Sequence, residues 1–160
     1  MKTLFYFNIF ISVIVLVAVY ILEYGFKMAP CEMCIIERYQ YYSLIVLGII
    51  GLLSIEKLGK VIQYLILCIL TLGVFYTLYH VGIERSIFEG KSACSGSFSS
   101  VIDKEALLEN IEQAPLIRCD VATYLFNFIS LAESNLIVTI MLLFSNLYLG
   151  FKKWTQKRKY

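Results

Sequence analysis

Cysteine is the residue type with the most chemistry to offer in this chain. Cys31 and Cys34 stand three apart in "APCEMCIIER", residues 29–38, with Pro30 before them and Glu37 and Arg38 after. Such a C-x-x-C pair can ligate a metal, pack at a helix end, or pass electrons by disulfide exchange. Two more cysteines, Cys94 in "ACSG" and Cys119 in "RCD", lie 25 positions apart, and Cys68 sits alone in "LILCIL". Because Cys94 and Cys119 do not form a second close-spaced pair, a four-thiolate zinc site is the weaker option, and no metal is expected.

Pro30 suits the first turn of a helix, and the run behind it continues without a break. At about 100° per residue, with Cys31 at zero, Cys34 falls at about 300° and Arg38 at about 340°, on one face, while Glu37 falls at about 240°. A helix N-terminus and a guanidinium both favour negative charge, so Cys34 is the candidate thiolate. A charge deep in a membrane span costs about 2.5–3.5 kcal/mol. Arg38 is therefore either a headgroup anchor or a functional group, and the cysteines on its face favour the second. His80, the chain's single histidine, and Glu84 are four apart in "YHVGIE".

The elements that carry these residues are apolar. Of the 160 residues, 59% are hydrophobic and 16% are charged. Thr3 to Leu22, Tyr39 to Ile55, Val61 to Ile83 and Ser134 to Phe151 contain no Asp, Glu, Lys or Arg. About 17–25 apolar residues cross a bilayer as a helix, so four spans are predicted. They fall at about 4–22, 38–55, 61–80 and 134–151, with loops at about 23–35 and 81–133 in one transmembrane domain. The first apolar run exceeds a signal-peptide core and "VYILEYG" offers no small-x-small cleavage site, so the span is retained. The shorter run Val121 to Ala132 is expected to lie along the surface. Cys68, in the middle of the third span, is expected to be a packing residue.

Charge gives the orientation. Lys2, Lys57, Lys60 and the tail residues Lys152, Lys153, Lys157, Arg158 and Lys159 make up 8 of the 14 basic residues. The connection Glu84 to Glu133 holds four basic and eight acidic residues, a net of −4. By the positive-inside rule both termini are cytoplasmic, which places Cys31, Cys34, Cys94 and Cys119 on the outer, oxidising side. The tail "KKWTQKRK" follows a span directly and reads as an orientation signal that meets anionic lipid, so no nucleic-acid partner is expected. In the long loop, "GKSACSGSFSS" predicts a flexible strap around Cys94. After it, Leu107, Leu108 and Ile111 predict a short amphipathic helix over about Asp103 to Gln113, opened by a capping-box-like Ser100-x-x-Asp103.

Together these residues resemble the DsbB family of bacterial inner-membrane disulfide-generating proteins. The match rests on Pro30-Cys31-x-x-Cys34-x-x-Glu37-Arg38 opening the second span, "YHVGIE" closing the third, "ACSG" around Cys94 and "RCD" around Cys119. The resemblance implies an all-α membrane protein, an antiparallel four-helix transmembrane bundle with two periplasmic loops and a short interfacial helix. It implies a quinone-dependent protein thiol oxidase in which all four outer cysteines are redox-active. Cys94 would exchange with a periplasmic DsbA-like thiol oxidase of thioredoxin fold. Cys119, its disulfide mate, would be released to pair transiently with Cys31. Cys34 would face ubiquinone or menaquinone, with Arg38 and His80 beside it. A DsbA-like partner is a strong oxidant, at about −120 mV, so its reoxidation needs an acceptor of higher potential than thiols readily supply. Two other classes fit the inventory less well. A vitamin K epoxide reductase-like enzyme would carry its C-x-x-C late in the chain, and a non-enzymatic scaffold would use its cysteines for structural disulfides or zinc.

Overall fold

The computed structural model describes residues 2–28, 30–54, 58–88, 124–126 and 129–157, without the side chains of 124–126 and 151–157. Helix α1 spans Lys2–Tyr20 and passes into a π-helical turn, Ile21–Gly25. α2 spans Glu32–Leu53, α3 Gly59–Glu84 and α4 Leu131–Lys157. Among the described residues, four helices are long and apolar enough to cross a membrane. Residues 121–132, expected along the surface, contribute a small antiparallel strand pair, Tyr124–Phe126 with Ile129–Ser130, and the start of α4. Cys94, Cys119 and the helix expected over 103–113 lie outside the described residues.

The helices form an antiparallel four-helix bundle in which α1 packs on α2, α2 on α3 and α3 on α4, with α4 also meeting α1. Its outer surface is apolar, unlike that of a soluble bundle, and polar side chains are buried inside among an apolar core that includes Phe5, Leu44, Ile66, Leu70 and Leu142. Phe10, Leu53, Phe75, Met141 and Phe144 face outward, whereas Asn8, Ser12, Thr77, Thr139 and Asn146 are fully buried. In lipid the outer surface is best left apolar, and helices are joined by close packing and interhelical hydrogen bonds. Asn8 and Asn146 form such a joint, each amide donating to the other at 2.9 and 2.8 Å, and Gln63 adds a bond to Asn146 at 3.1 Å. Gly51 lets Phe5 of α1 press against α2, since a Cβ there would lie 2.8–2.9 Å from three atoms of the ring. Those features make the chain a multi-pass membrane protein.

The helix ends near the cysteines are firmly specified. Cys31, in extended backbone (φ −79°, ψ 164°), is the N-cap of α2, and its Sγ accepts the Cys34 N–H at 3.3 Å. Pro30 therefore precedes the cap instead of occupying the first turn, because the sulfur of the next residue satisfies the opening amide. α3 ends in a Schellman motif: Ile87 N–H bonds to Gly82 O at 2.8 Å and Ser86 N–H to Ile83 O at 2.9 Å, with Ser86 at φ 55°. α4 opens with a capping box, where Glu133 N–H donates to Ser130 Oγ at 3.0 Å and Ser130 N–H to Glu133 Oε2 at 3.1 Å. Arg85 and Glu84 reinforce it from α3, Arg85 Nε donating to Glu133 at 2.9 Å and Glu84 accepting from Ser130 Oγ at 2.6 Å.

Candidate functional site

The cap that starts α2 also creates the site. Cys31 is buried, Cys34 is half-buried, and their sulfurs lie 2.8 Å apart, unbonded, with the Cys31 S–H directed at Cys34 Sγ. That hydrogen bond, and burial after it, hold the Cys31 thiol well above the usual thiol range. In the reduced pair the proton therefore stays on Cys31 and points at Cys34 Sγ.

His80 reaches the pair from α3. It is fully buried, with Nε2 3.6 Å from Cys31 Sγ and Nδ1 2.9 Å from Glu37 Oε1. The second oxygen of Glu37 accepts the Asn135 amide of α4 at 2.7 Å. Asn135 in turn accepts the Tyr41 hydroxyl through Oδ1, and Tyr41 also lies 3.3 Å from Thr139 Oγ1. With both oxygens of Glu37 acting as acceptors, His80 carries a hydrogen on Nδ1, and Nε2 is the ring nitrogen that faces Cys31. A connected polar chain thus runs from Cys31 through α3 and back across α2 to α4. Inside an apolar bundle such a chain holds its members in one orientation, because any one left unpaired would be costly.

Arg38 has other partners. Its Nη1 donates to Glu23 Oε2 at 2.5 Å, and the guanidinium lies 5.3 Å from the centre of the Tyr20 ring. Tyr20 shares a hydroxyl contact with Tyr42 and stacks on Tyr24, their ring centres 5.9 Å apart. Arg38 Nε is buried and has no partner. Among the contacts described, Arg38 bonds to the π-helical turn after α1 and to neither sulfur.

The expected site residues divide accordingly. Cys31, Cys34 and His80 come together, their ligating atoms all within 4.8 Å of one another. Arg38 sits with Glu23 and Tyr20, and Cys68 is exposed on α3, while Tyr41 ties α2 to α4. Glu37, part of the motif but without an expected role, and Asn135, which no motif marks, complete the polar chain. Both are polar groups next to or inside a predicted span, which is itself a pointer to function.

The family model described as disulfide bond formation protein DsbB matches residues 1–149. An uncharacterized protein of Rickettsia prowazekii (strain Madrid E) is 32% identical over 148 residues, which cover 89% of this chain and 84% of that protein.

Proposed function

Since the chain belongs to the DsbB family of disulfide bond formation proteins, we propose that it is a quinone-dependent protein thiol oxidase of the bacterial inner membrane. In this reading it reoxidises a DsbA-like thioredoxin-fold dithiol protein and passes the electrons to ubiquinone or menaquinone. The charge asymmetry supports termini in the cytoplasm and the four outer cysteines in the periplasm. The carrying observation is the Cys31–Cys34 pair at a helix N-terminus, backed by His80 and Glu37.

Each sulfur then has a distinct part. Cys94, disulfide-bonded to Cys119, is attacked by a thiolate of the partner, and Cys119 leaves as a thiolate. Attack of Cys119 on Cys31 Sγ breaks the Cys31–Cys34 bond and leaves Cys34 with the negative charge. The second partner thiol then closes the partner's own disulfide and frees Cys94, which re-forms the Cys94–Cys119 bond and releases Cys31. Two electrons and two protons have now moved from the partner dithiol to Cys31 and Cys34. Closing the Cys31–Cys34 bond again requires Cys31 to lose its proton, and His80 Nε2, 3.6 Å away, would take it when the ring is neutral.

The residues present fit a quinone. Arg38 Nε is a buried donor without a partner, with the guanidinium over the Tyr20 ring, and would hold a quinone oxygen beside the head of α2. When bound, the quinone supplies the two-electron sink that thiols alone lack. Glu23 holds the guanidinium to the turn after α1, so Arg38 keeps its place whether or not a ligand is present.

A Cys119→Ser variant mixed with a reduced thioredoxin-fold dithiol protein is expected to trap a mixed disulfide through Cys94. Absence of that adduct, with Cys94 shown to be reactive toward small thiols, would count against this division of labour.

A further inference from the structure

We propose that the reduced Cys31 and Cys34, together with His80 Nε2, form a site for one thiophilic divalent cation of the zinc class, and that the disulfide form lacks it. The ligand atoms of the three residues already lie within 4.8 Å of one another. Tetrahedral zinc, with bonds of about 2.3 Å to sulfur and about 2.0–2.1 Å to nitrogen, places a sulfur and a nitrogen about 3.6 Å apart and two sulfurs about 3.8 Å apart. Cys31 Sγ and His80 Nε2 stand at 3.6 Å. The sulfurs, at 2.8 Å, must part by about 1 Å, which a side-chain rotation of the half-buried Cys34 allows.

What surrounds the three ligands also suits a metal. A ligating histidine typically donates its other ring N–H to a carboxylate, which fixes the tautomer and raises the basicity of the ligating nitrogen. Glu37 lies 2.9 Å from His80 Nδ1, and Asn135 holds the carboxylate's other oxygen at 2.7 Å. Two thiolates cancel the cation's charge, so the loaded centre is neutral and suits a site at the edge of an apolar bundle. Binding displaces one proton from each thiol to solvent and moves no electrons. The fourth coordination position stays open to water. Once the pair is oxidised neither sulfur is a thiolate, and the site is lost.

Such a cation would compete with closure of the Cys31–Cys34 bond and hold the protein in its two-electron reduced state. That consequence rests on the oxidase reading, whereas the binding itself does not.

The test uses full-length protein in detergent, in a Cys94→Ser/Cys119→Ser background, reduced with a phosphine and desalted. Zinc chloride is titrated against a chromophoric chelator, and cobalt chloride serves as a spectroscopic probe. One zinc per reduced chain is expected, with sulfur-to-cobalt charge-transfer absorption, and none after the pair is oxidised. Glu37→Gln is expected to weaken zinc about 10- to 100-fold, and His80→Gln to abolish the tight site, each in protein of unchanged helical circular dichroism. Should His80→Gln fail to fold, the Glu37→Gln shift and the cobalt spectrum decide. Equal zinc uptake by reduced and oxidised protein, or full-affinity uptake by folded, reduced His80→Gln protein, would overturn the proposal. Zinc uptake as expected, alongside no thiol oxidase activity in protein that keeps all four outer cysteines, would count against the oxidase reading alone.

Discussion

Replacing Glu37 with glutamine preserves shape, removes one negative charge beside His80 and changes the direction of hydrogen bonding. The carboxylate accepts twice, from His80 Nδ1–H and from the Asn135 amide, at 2.9 and 2.7 Å. Glutamine offers one acceptor and one NH2 group, so one of those donors must face another donor. Asn135 does not readily turn over to relieve the conflict, because its Oδ1 accepts the Tyr41 hydroxyl. The loss is one hydrogen bond to a charged group, about 1.5–3 kcal/mol, or about a 10- to 150-fold change in rate if it falls on the step that needs His80 in its present tautomer. Rapid-quench alkylation of the remaining thiols reads the rate of Cys31–Cys34 bond closure. Adding Asn135→Asp should restore it, since the new carboxylate accepts the amide of the introduced glutamine and still accepts Tyr41. An unchanged rate in Glu37→Gln, or a double variant no faster than the single one, would refute the relay.

Three further outcomes concern the bundle. Asn8→Leu breaks the reciprocal amide pair between α1 and α4 and is expected to cost about 0.6–1.7 kcal/mol in detergent unfolding titrations. Gly51→Ala drives a methyl into the buried Phe5 ring and is expected to cost about 1–3 kcal/mol by the same titration, with partial recovery when Phe5→Leu makes room. Ser86→Gly removes a side chain from a left-handed position at φ 55° and is expected to stabilise by about 1 kcal/mol, measured as a higher midpoint of unfolding.

The four helices were legible because a bilayer imposes a length and forbids charge, and both can be counted in a sequence. Their ends were less so. The Ser130-x-x-Glu133 capping box starts α4 three residues before the uncharged window beginning at Ser134, and it was there to be read. The facing of each helix was harder, since a membrane helix is apolar on both its lipid and its interior sides, and periodicity does not tell them apart. The helical wheel put Arg38 with the cysteines and Glu37 farther round. In the structure Arg38 bonds to Glu23 of the π-helical turn that follows α1, and Glu37 reaches His80 and Asn135. His80 and Cys31 are 49 positions apart in the chain, and no local pattern links them. The polar groups near and within the spans, Glu37, His80 and Asn135, were the available pointer. Only packing shows that they join.

The central claim is that electrons leave through Cys34 to a membrane quinone. The direct measurement is quinone reduction, followed by absorbance, with the purified protein in lipid, a reduced thioredoxin-fold dithiol protein and added ubiquinone or menaquinone. One quinone reduced per dithiol oxidised is expected, with loss of that turnover in Cys34→Ser protein that remains folded. Turnover at the unaltered rate in folded Cys34→Ser protein would contradict it.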